Sequence, residues 1–154
     1  MNLDQEPKSC KQDVDDGNRP LGAPDEAGRA VLIVEDCENS AETLQIALLG
    51  IPDVRVLLAS SGPDALRILA GAGSRVGAVI TDLNMPRMDG FELIRRIRAD
   101  HGLAATPIIV VSADTDPSTP ERTLQLGAAA FFPKPFSPAA VRRKLEQLLN
   151  ATTE

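Results

Sequence analysis

Five polar side chains stand where apolar runs of the sequence come to an end. They are the carboxylates of Glu35, Asp36 and Asp82, the hydroxyl of Ser112 and the ammonium of Lys134. Each closely follows a short apolar run of the kind that forms a buried strand in a parallel sheet. Because the carboxyl ends of parallel strands meet at one edge of a sheet, we expect all five side chains to gather there.

Three carboxylates at such short range repel one another, and proton uptake or a hard divalent cation with oxygen ligands relieves the repulsion. Mg²⁺ suits this set because it needs only one or two protein carboxylates, keeps several waters and accepts a phosphoryl oxygen. A metal beside Asp82 would neutralise charge on an incoming phosphoryl group, and Lys134 would add a second positive charge. Asp82 is then predicted to be a nucleophile that forms an acyl phosphate.

Each of these residues also has an ordinary interpretation when it is considered alone. Asp82 precedes a turn containing Met85 and Pro86, where Asp commonly forms turns or caps helices. Glu35 and Asp36 suit the first turn of a helix, which favours negative charge. Only the combination of residues on several strands points to phosphoryl chemistry.

The elements that must position these residues alternate regularly along the chain. Apolar runs predict five strands, each followed by a segment with helical spacing: 30–34, 54–58, 78–81, 107–112 and 129–132. This (βα)5 pattern predicts an α/β fold with a doubly wound parallel sheet covered on both faces. Right-handed crossovers and the flavodoxin-like strand order 2-1-3-4-5 follow as the commoner solution.

Helix starts are marked by residues that satisfy free backbone groups. Asn39 with Glu42, and Asp89 with Glu92, have the spacing of capping boxes. Pro63 suits the first turn of the second helix, and Ser137 with Pro138 suits the start of the last helix. The last helix is predicted to bury Val141, Leu145, Leu148 and Leu149.

The fourth helix is the least regular element of the pattern. Pro117 and Pro120 crowd its start, so we expect it to begin late and to run through Leu124 and Leu126 to Gly127.

Length and composition indicate one folded domain with tails. The chain has 154 residues, and we assign 1–29 to a disordered acidic tail, 30–150 to the domain and 151–154 to a short C-terminal tail. The tail carries an acidic cluster of Asp13, Asp15 and Asp16. Ordering its few apolar side chains would not offset the entropy cost of folding.

The charge and the apolar runs exclude several classes of function. A net charge of −6 offers no basic field for nucleic acid, so direct nucleic-acid binding is not expected. No apolar run approaches the roughly 18–20 residues that span a bilayer, and the amino terminus lacks the pattern of a secretory signal. We therefore predict a cytosolic protein without membrane insertion. Cys10 and Cys37 are expected to be free thiols, and the acids beside Cys37 should oppose a lowered thiol pKa.

Four short motifs, in this order along the chain, match the pattern of a known protein family. Glu35-Asp36, Asp82 within Asp-Leu-Asn-Met-Pro-Arg-Met-Asp-Gly, Ser112-Ala113 and Lys134-Pro135-Phe136 resemble the receiver domain of two-component response regulators. The resemblance covers about residues 30–150. No Walker A sequence, Rossmann glycine fingerprint or nucleophile elbow competes with it.

The resemblance implies a role for each residue. Asp82 is the implied phosphoacceptor, supplied by a sensor histidine kinase, a phosphotransfer protein of a phosphorelay or a small acyl phosphate. Asp36 and Asp82 would ligate Mg²⁺ directly, with the backbone carbonyl of Asn84, while Glu35 would act mostly through water. Lys134 would pair with a phosphoryl oxygen, ahead of a cis peptide bond at Pro135.

The resemblance also implies a switch. Ser112 would hydrogen-bond the phosphoryl group and pull in the loop after the fourth strand, and Phe131 would fill the space that Ser112 leaves. Ser112 stands where Thr is also usual, and Phe131 replaces the more frequent Tyr, so no phenolic hydrogen bond is available. Pro117 and Pro120 are expected to stiffen the entrance to the fourth helix. Asn84 and Asp114 would flank the water path to the acyl phosphate.

The predicted function is therefore a stand-alone, phosphorylation-driven switch and not an enzyme acting on external substrates. Its fourth helix, fifth strand and fifth helix would form the output surface for a downstream effector protein, and a homodimer through this surface stays open. Two alternatives remain. One is a receiver-fold binding module that no longer uses phosphate, and the other is a phosphate-handling hydrolase, for which a second catalytic acid and a cap domain are lacking.

Overall fold

The computed structural model describes residues 29–72 and 76–151. Five parallel strands form one sheet in the order β2-β1-β3-β4-β5. The strands are β1 (Arg29–Val34), β2 (Val54–Ala59), β3 (Val76–Thr81), β4 (Ile108–Ser112) and β5 (Ala130–Pro133). The predicted α/β fold, parallel pairing and strand order are confirmed.

Five helices connect and follow the strands. They are α1 (Glu38–Leu48), α2 (Gly62–Ala72), α3 (Gly90–Ala99), α4 (Thr119–Gln125) and α5 (Pro138–Ala151). The late start predicted for α4 is confirmed, although this helix ends at Gln125 and Gly127 lies beyond it with a φ of 110°. Glycine tolerates this left-handed backbone without a Cβ clash.

Several predicted boundaries are wrong by one or two residues. Arg29 is already the first residue of β1, β5 begins at Ala130 and not at Ala129, and Ala151 still belongs to α5. Residues 1–28 and 152–154, which include most of the predicted tails, lie outside the described residues. The strand boundaries shift because backbone pairing with a neighbouring strand, and not the apolar run, decides where a strand ends.

Strand residues alternate between two apolar clusters, one on each face of the sheet. Leu32, Val79 and Val110 point to the face covered by α2 and α3, where Leu69, Leu93, Ile94 and Ile97 are also buried. Ile33, Ile80 and Val111 point to the other face, covered by α1 and α5: Leu44, Leu48, Val141, Leu145 and Leu149 are buried there. Successive residues face opposite sides because the side-chain period of a strand is two.

The edge strand β2 departs from the predicted burial. Val54 and Val56 pack on the α1 and α5 face, but Leu58 is 45% exposed. An edge strand has a neighbour on one side only, so alternation along it does not guarantee burial.

The predicted caps have different outcomes. The Oδ1 atom of Asp89 accepts a hydrogen bond of 2.9 Å from the Glu92 amide, but the Glu92 carboxylate pairs with two arginines of its own helix and does not close the box. The Oγ atom of Ser137 accepts from the Ala140 amide at 3.1 Å, as a cap of α5 should. The box predicted at Asn39 is wrong: α1 begins at Glu38, with Cys37 at the N-cap position.

Candidate functional site

Three acidic side chains meet at the carboxyl edge of the sheet, as predicted. Glu35 and Asp36 follow β1, Asp82 follows β3, and one carboxylate oxygen from each lies within 4.8 Å of the others. Glu35 and Asp82 are buried, whereas Asp36 is exposed. The neighbouring strands β1 and β3 bring these acids together because both strands point the same way.

Lys134 joins two of these acids directly. Its Nζ atom lies 2.9 Å from Oδ2 of Asp82 and 3.1 Å from Oε1 of Glu35. Burial lowers the pKa of this ammonium, but the hydrogen bonds and negative charges of Asp82 and Glu35 outweigh burial and hold the pKa above its usual value. The ammonium therefore stays charged between the two carboxylates.

The charge of the Glu35 carboxyl group is disfavoured by burial and by the neighbouring acid. Its side chain is 1% exposed, and burial raises the pKa of Glu35, with the negative charge of Asp82 acting in the same direction. Lys134 and the Cys37 amide oppose the increase without cancelling it. A further positive charge beside Glu35 would favour its ionised form.

Backbone amides hold the other side of Asp82. Its Oδ1 atom accepts hydrogen bonds from the amides of Leu83 at 2.6 Å and Asn84 at 3.2 Å. The Asp82 carboxylate is thus clamped between two amides and one ammonium. Asn84 itself is exposed at the turn.

Gly90 supports this turn and was not singled out from the sequence. Its amide donates to the Leu83 carbonyl at 2.8 Å, and a Cβ at this position would collide with the Asp82 carbonyl. Glycine is needed because the first turn of α3 passes directly against the backbone of Asp82. The Met-Asp-Gly ending of the motif was the available signal.

Lys134 directly follows β5 and lies beside the end of β4. Its amide donates to the Ser112 carbonyl at 2.8 Å, and the Lys134–Pro135 peptide bond is cis, as predicted.

Ser112 lies at the same edge but outside the ion-pair network. Its side chain is fully buried, and its Oγ atom accepts a hydrogen bond of 3.0 Å from the Asp114 amide. Phe131 pairs with Val110 in the sheet and is half-buried against the cluster under α2 and α3. The structure therefore joins Lys134 directly to Glu35 and Asp82, places Asp36 within 4.8 Å of these two acids and holds Ser112 beside them.

The expectation for Cys37 is wrong in direction. The nearby Ser40 amide and hydroxyl and the Asn39 amide lower the pKa of the Cys37 thiol, and their influence outweighs the opposing effects of burial and of the Glu35 charge. The N-cap position of α1, which the sequence pattern placed elsewhere, explains the difference because amides at a helix start favour a thiolate.

Comparison with known proteins identifies the family. The response regulator receiver domain family matches residues 31–146, which is more than half of the chain. The chain belongs to the response regulator receiver family. Receiver domains are signalling modules that interact with kinases and effector proteins, and they bind Mg²⁺ at an acidic pocket of the kind seen here.

Curated relatives of this receiver domain include plant proteins. It is 34% identical over 120 residues to the two-component response regulator ORR11 of Oryza sativa subsp. indica, covering 77% of this chain and 80% of that protein. It is also 34% identical over 119 residues to ORR7 of Oryza sativa subsp. japonica, of which it spans only 56%.

Solved structures of bacterial receivers have the same fold. The response regulator receiver protein from Pseudomonas putida is 35% identical, with a TM-score of 0.67 and coverage of 81% of this chain and 98% of that chain. The chemotaxis response regulator CheY4 of Vibrio cholerae is 28% identical, with a TM-score of 0.70 and coverage of 79% and 98%. Within the described part of this receiver domain, no helix is long and apolar enough to cross a membrane.

Proposed function

We propose that this receiver domain accepts a phosphoryl group on Asp82 from a phosphohistidine of a sensor kinase or a phosphotransfer protein. The observation that carries the proposal is the clamp on Asp82, in which two amides hold Oδ1 and Lys134 holds Oδ2. These donors fix the orientation of the carboxylate that would act as the nucleophile.

The proposed transfer changes one bond on each side of phosphorus. A carboxylate oxygen of Asp82 forms a bond to phosphorus, and the bond from phosphorus to the donor imidazole breaks, with the electron pair leaving on the imidazole. Lys134 then exchanges one carboxylate contact for a phosphoryl oxygen. Its position between Asp82 and Glu35 supports this role because the ammonium already lies within 3.1 Å of both acids.

We propose that Asp36, Asp82 and the Asn84 backbone carbonyl hold Mg²⁺, with Glu35 acting mostly through water. The three oxygens within 4.8 Å of one another suit a hard cation, and exposed Asp36 gives access from solvent. When bound, the ion would neutralise charge on the phosphoryl oxygens. The raised pKa of Glu35 supports the fit, since a cation would stabilise its charge.

The proposed output surface consists of α4, β5 and α5. Ser112 would donate its hydroxyl proton to the phosphoryl group, and half-buried Phe131 would follow by changing its rotamer. β5 is an edge strand, and Leu124 on α4 is 49% exposed, so both are accessible to an effector protein. A location in the cytosol and a homodimer through this surface belong to the same proposal.

The test is phosphorylation by acetyl phosphate with Mg²⁺, followed by intact-mass spectrometry. We expect a gain of one phosphoryl group, lost in Asp82→Ala and on chelation of Mg²⁺. The matched control is Asp100→Ala. It removes an exposed carboxylate whose hydrogen-bond partner is the Gly102 amide, away from the site. This control should gain the same mass as the wild type.

Two other outcomes would replace the proposal. Absence of any mass gain would favour a receiver-fold module that binds partners without phosphate. Release of many equivalents of phosphate per chain would favour a hydrolase.

A further inference from the structure

The outer side of β2 is an open edge of the sheet. Within the described residues β2 pairs with β1 alone. The carbonyls of Asp53 and Ala59 accept hydrogen bonds of 2.9 Å from the amides at the start of β1 and directly after its end. Because backbone groups alternate between the two sides of a strand, those of Val54, Val56 and Leu58 face away from β1. An edge of this kind accepts an extended segment of chain.

Arg55 is the single charged residue of β2, and it has a buried donor without an acceptor. Its Nε atom has no hydrogen-bond partner among residues 29–72 and 76–151. The Arg55 side chain lies on the face that α2 covers, as Leu57 does, because Val54 and Val56 pack on the opposite face. Burying a donor without an acceptor costs free energy, and a carboxylate is the acceptor that best suits a guanidinium.

The chain that precedes β1 arrives beside Arg55. Arg29, the first residue of β1, pairs with Val54, and Ala30 pairs with Arg55. Neighbouring strands lie about 4.8 Å apart, so the outer side of β2 is about 10 Å from the start of β1. Three extended residues span up to about 10 Å, which is the separation in sequence between Glu26 and Arg29.

The residues that lead into β1 also have the charge that Arg55 requires. Residues 20–28 include two acids, Asp25 and Glu26, and no lysine or arginine. Gly28 directly precedes β1, and a glycine tolerates the turn that a path from β1 toward the outer side of β2 needs. We call residues 24–28 the acidic segment.

We propose that the acidic segment docks at the outer edge of β2, where the carboxylates of Asp25 and Glu26 accept hydrogen bonds from the Arg55 guanidinium. Covalent attachment to the neighbouring strand favours this occupant, because it gives the segment a high effective concentration. Once docked, the segment covers the edge of β2 and opposes pairing of this edge with a second copy of the chain.

This contact is independent of the proposed phosphoryl transfer. Arg55 is the second residue of β2 and lies near the amino ends of the strands, whereas Asp82 follows the carboxyl end of β3. All tests therefore use the unphosphorylated full chain.

The first experiment measures the exchange of the Arg55 Nε proton with water by NMR at neutral pH. Exchange in Asp25→Ala/Glu26→Ala should be roughly tenfold faster than in the wild type, because the charge-assisted hydrogen bonds are lost. The matched control, Asp13→Ala/Asp15→Ala, removes the same charge farther from β1 and should exchange as the wild type does. Equal exchange in the wild type and Asp25→Ala/Glu26→Ala overturns the proposal, and so does an equal increase in both double variants.

The second experiment measures cleavage after Glu26 by a glutamate-specific endoproteinase. Arg55→Gln should speed this cleavage roughly three- to tenfold, because it releases the Glu26 carboxylate and the backbone beside it. Arg55→Lys retains the charge without the planar fork and should give an intermediate rate. Arg143→Gln removes an exposed arginine of α5 and should leave the rate unchanged.

Equal cleavage of the wild type and Arg55→Gln overturns the proposal. A urea titration reports whether Arg55→Gln is folded. If it is not, the first experiment still decides, because there the folded domain keeps its own sequence.

A third measurement separates the acidic segment from a second copy of the chain as the occupant. Exchange of the Arg55 Nε proton is compared in the wild type at two protein concentrations that differ about tenfold. The rates should be equal, because the proposed contact lies within one chain. Slower exchange at the higher concentration would assign the edge of β2 to a second copy and overturn the proposal.

Discussion

Helices α3 and α4 leave the same edge of the sheet but are attached to it in different ways. α3 follows Asp82, spans ten residues, buries Leu93, Ile94 and Ile97 completely and is capped by Asp89. α4 follows Ser112, spans seven residues and buries two threonines. The first helix is held by apolar burial, and the second by polar contacts.

This difference indicates which part of the site can move. Full burial of one large aliphatic side chain contributes about 1.5–3 kcal/mol, whereas a typical hydrogen bond contributes about 0.5–1.5 kcal/mol. Reversing a two-state equilibrium from mostly off to mostly on takes about 5.5 kcal/mol. The three buried side chains of α3 together contribute about 4.5–9 kcal/mol, so a switching free energy of about 5.5 kcal/mol displaces α4 more readily than α3.

The largest expected effect comes from opening the core beneath α3. Ile94→Ala should destabilise the protein by about 2–5 kcal/mol, because it leaves a cavity among fully buried neighbours. Urea denaturation measures the change. The matched variant on α4 is Leu124→Ala, which truncates a side chain that is 49% exposed and should stay within about 0.5 kcal/mol of wild type. Similar losses in both variants would remove the distinction between the helices.

The next effect concerns the helix caps. Asp89→Ala should cost about 1 kcal/mol because it leaves the Glu92 amide without its 2.9 Å partner. Ser118→Ala should cost less, since the Ser118 side chain makes no cap in α4. Thermal and urea unfolding of the two variants under one buffer provide the comparison. A greater loss in Ser118→Ala would mean that α4 depends on its cap as α3 does.

The buried threonines of α4 predict changes of opposite sign. Thr119→Val should stabilise the protein by about 1 kcal/mol, because a methyl replaces a buried hydroxyl that has no hydrogen-bond partner among residues 29–72 and 76–151. Thr123→Val should destabilise it by a similar amount, because the Thr123 hydroxyl donates to the Pro120 carbonyl at 2.7 Å. Paired urea titrations measure both, and destabilisation by Thr119→Val would show that its hydroxyl is satisfied.

The smallest expected effect is a pH dependence at Glu35, the buried acid that follows β1. Burial raises the pKa of Glu35 above 4.5, so the folded state binds this proton more readily than the unfolded state. The wild type should therefore lose stability relative to Glu35→Gln as the pH rises from 4.5 to 7. Urea titrations with a metal chelator at both pH values measure the difference. A relative gain for the wild type over this range would contradict the raised pKa.

The well-predicted features of the fold are those encoded by local pattern. Apolar runs such as Ala30–Val34 are stable only in the interior of a sheet that is covered on both faces. A side chain such as Ser137 caps the helix that directly follows it in the sequence. The prediction of a capping box at Asn39 was wrong because the helix begins earlier, at Glu38, with Cys37 at its N-cap position. The expectation that Leu58 is buried was wrong because alternation alone does not indicate how much of an edge strand is covered.

Some polar features of the site could be predicted from the sequence, and others depended on the tertiary structure. That Glu35, Asp36, Asp82 and Lys134 meet at one edge follows from strand direction, so the sequence alone determined it. Other features depended on distances of a few ångströms. These are the position of Lys134 between Glu35 and Asp82, the lowered pKa of the Cys37 thiol, and the lack of a hydrogen-bond partner for the Thr119 hydroxyl among the residues that the structure describes.

The sequence by itself determined the parallel sheet and the edge at which the chemistry lies, because hydrophobic periodicity and chain direction specify them. The strand order was predicted only as the commoner solution, and the structure confirmed it. Only the tertiary structure decided how firmly each helix is attached and how Lys134 contacts two acids at once. The physical reason is that hydrogen bonding and burial of single polar groups depend on the packing of residues that are distant in sequence.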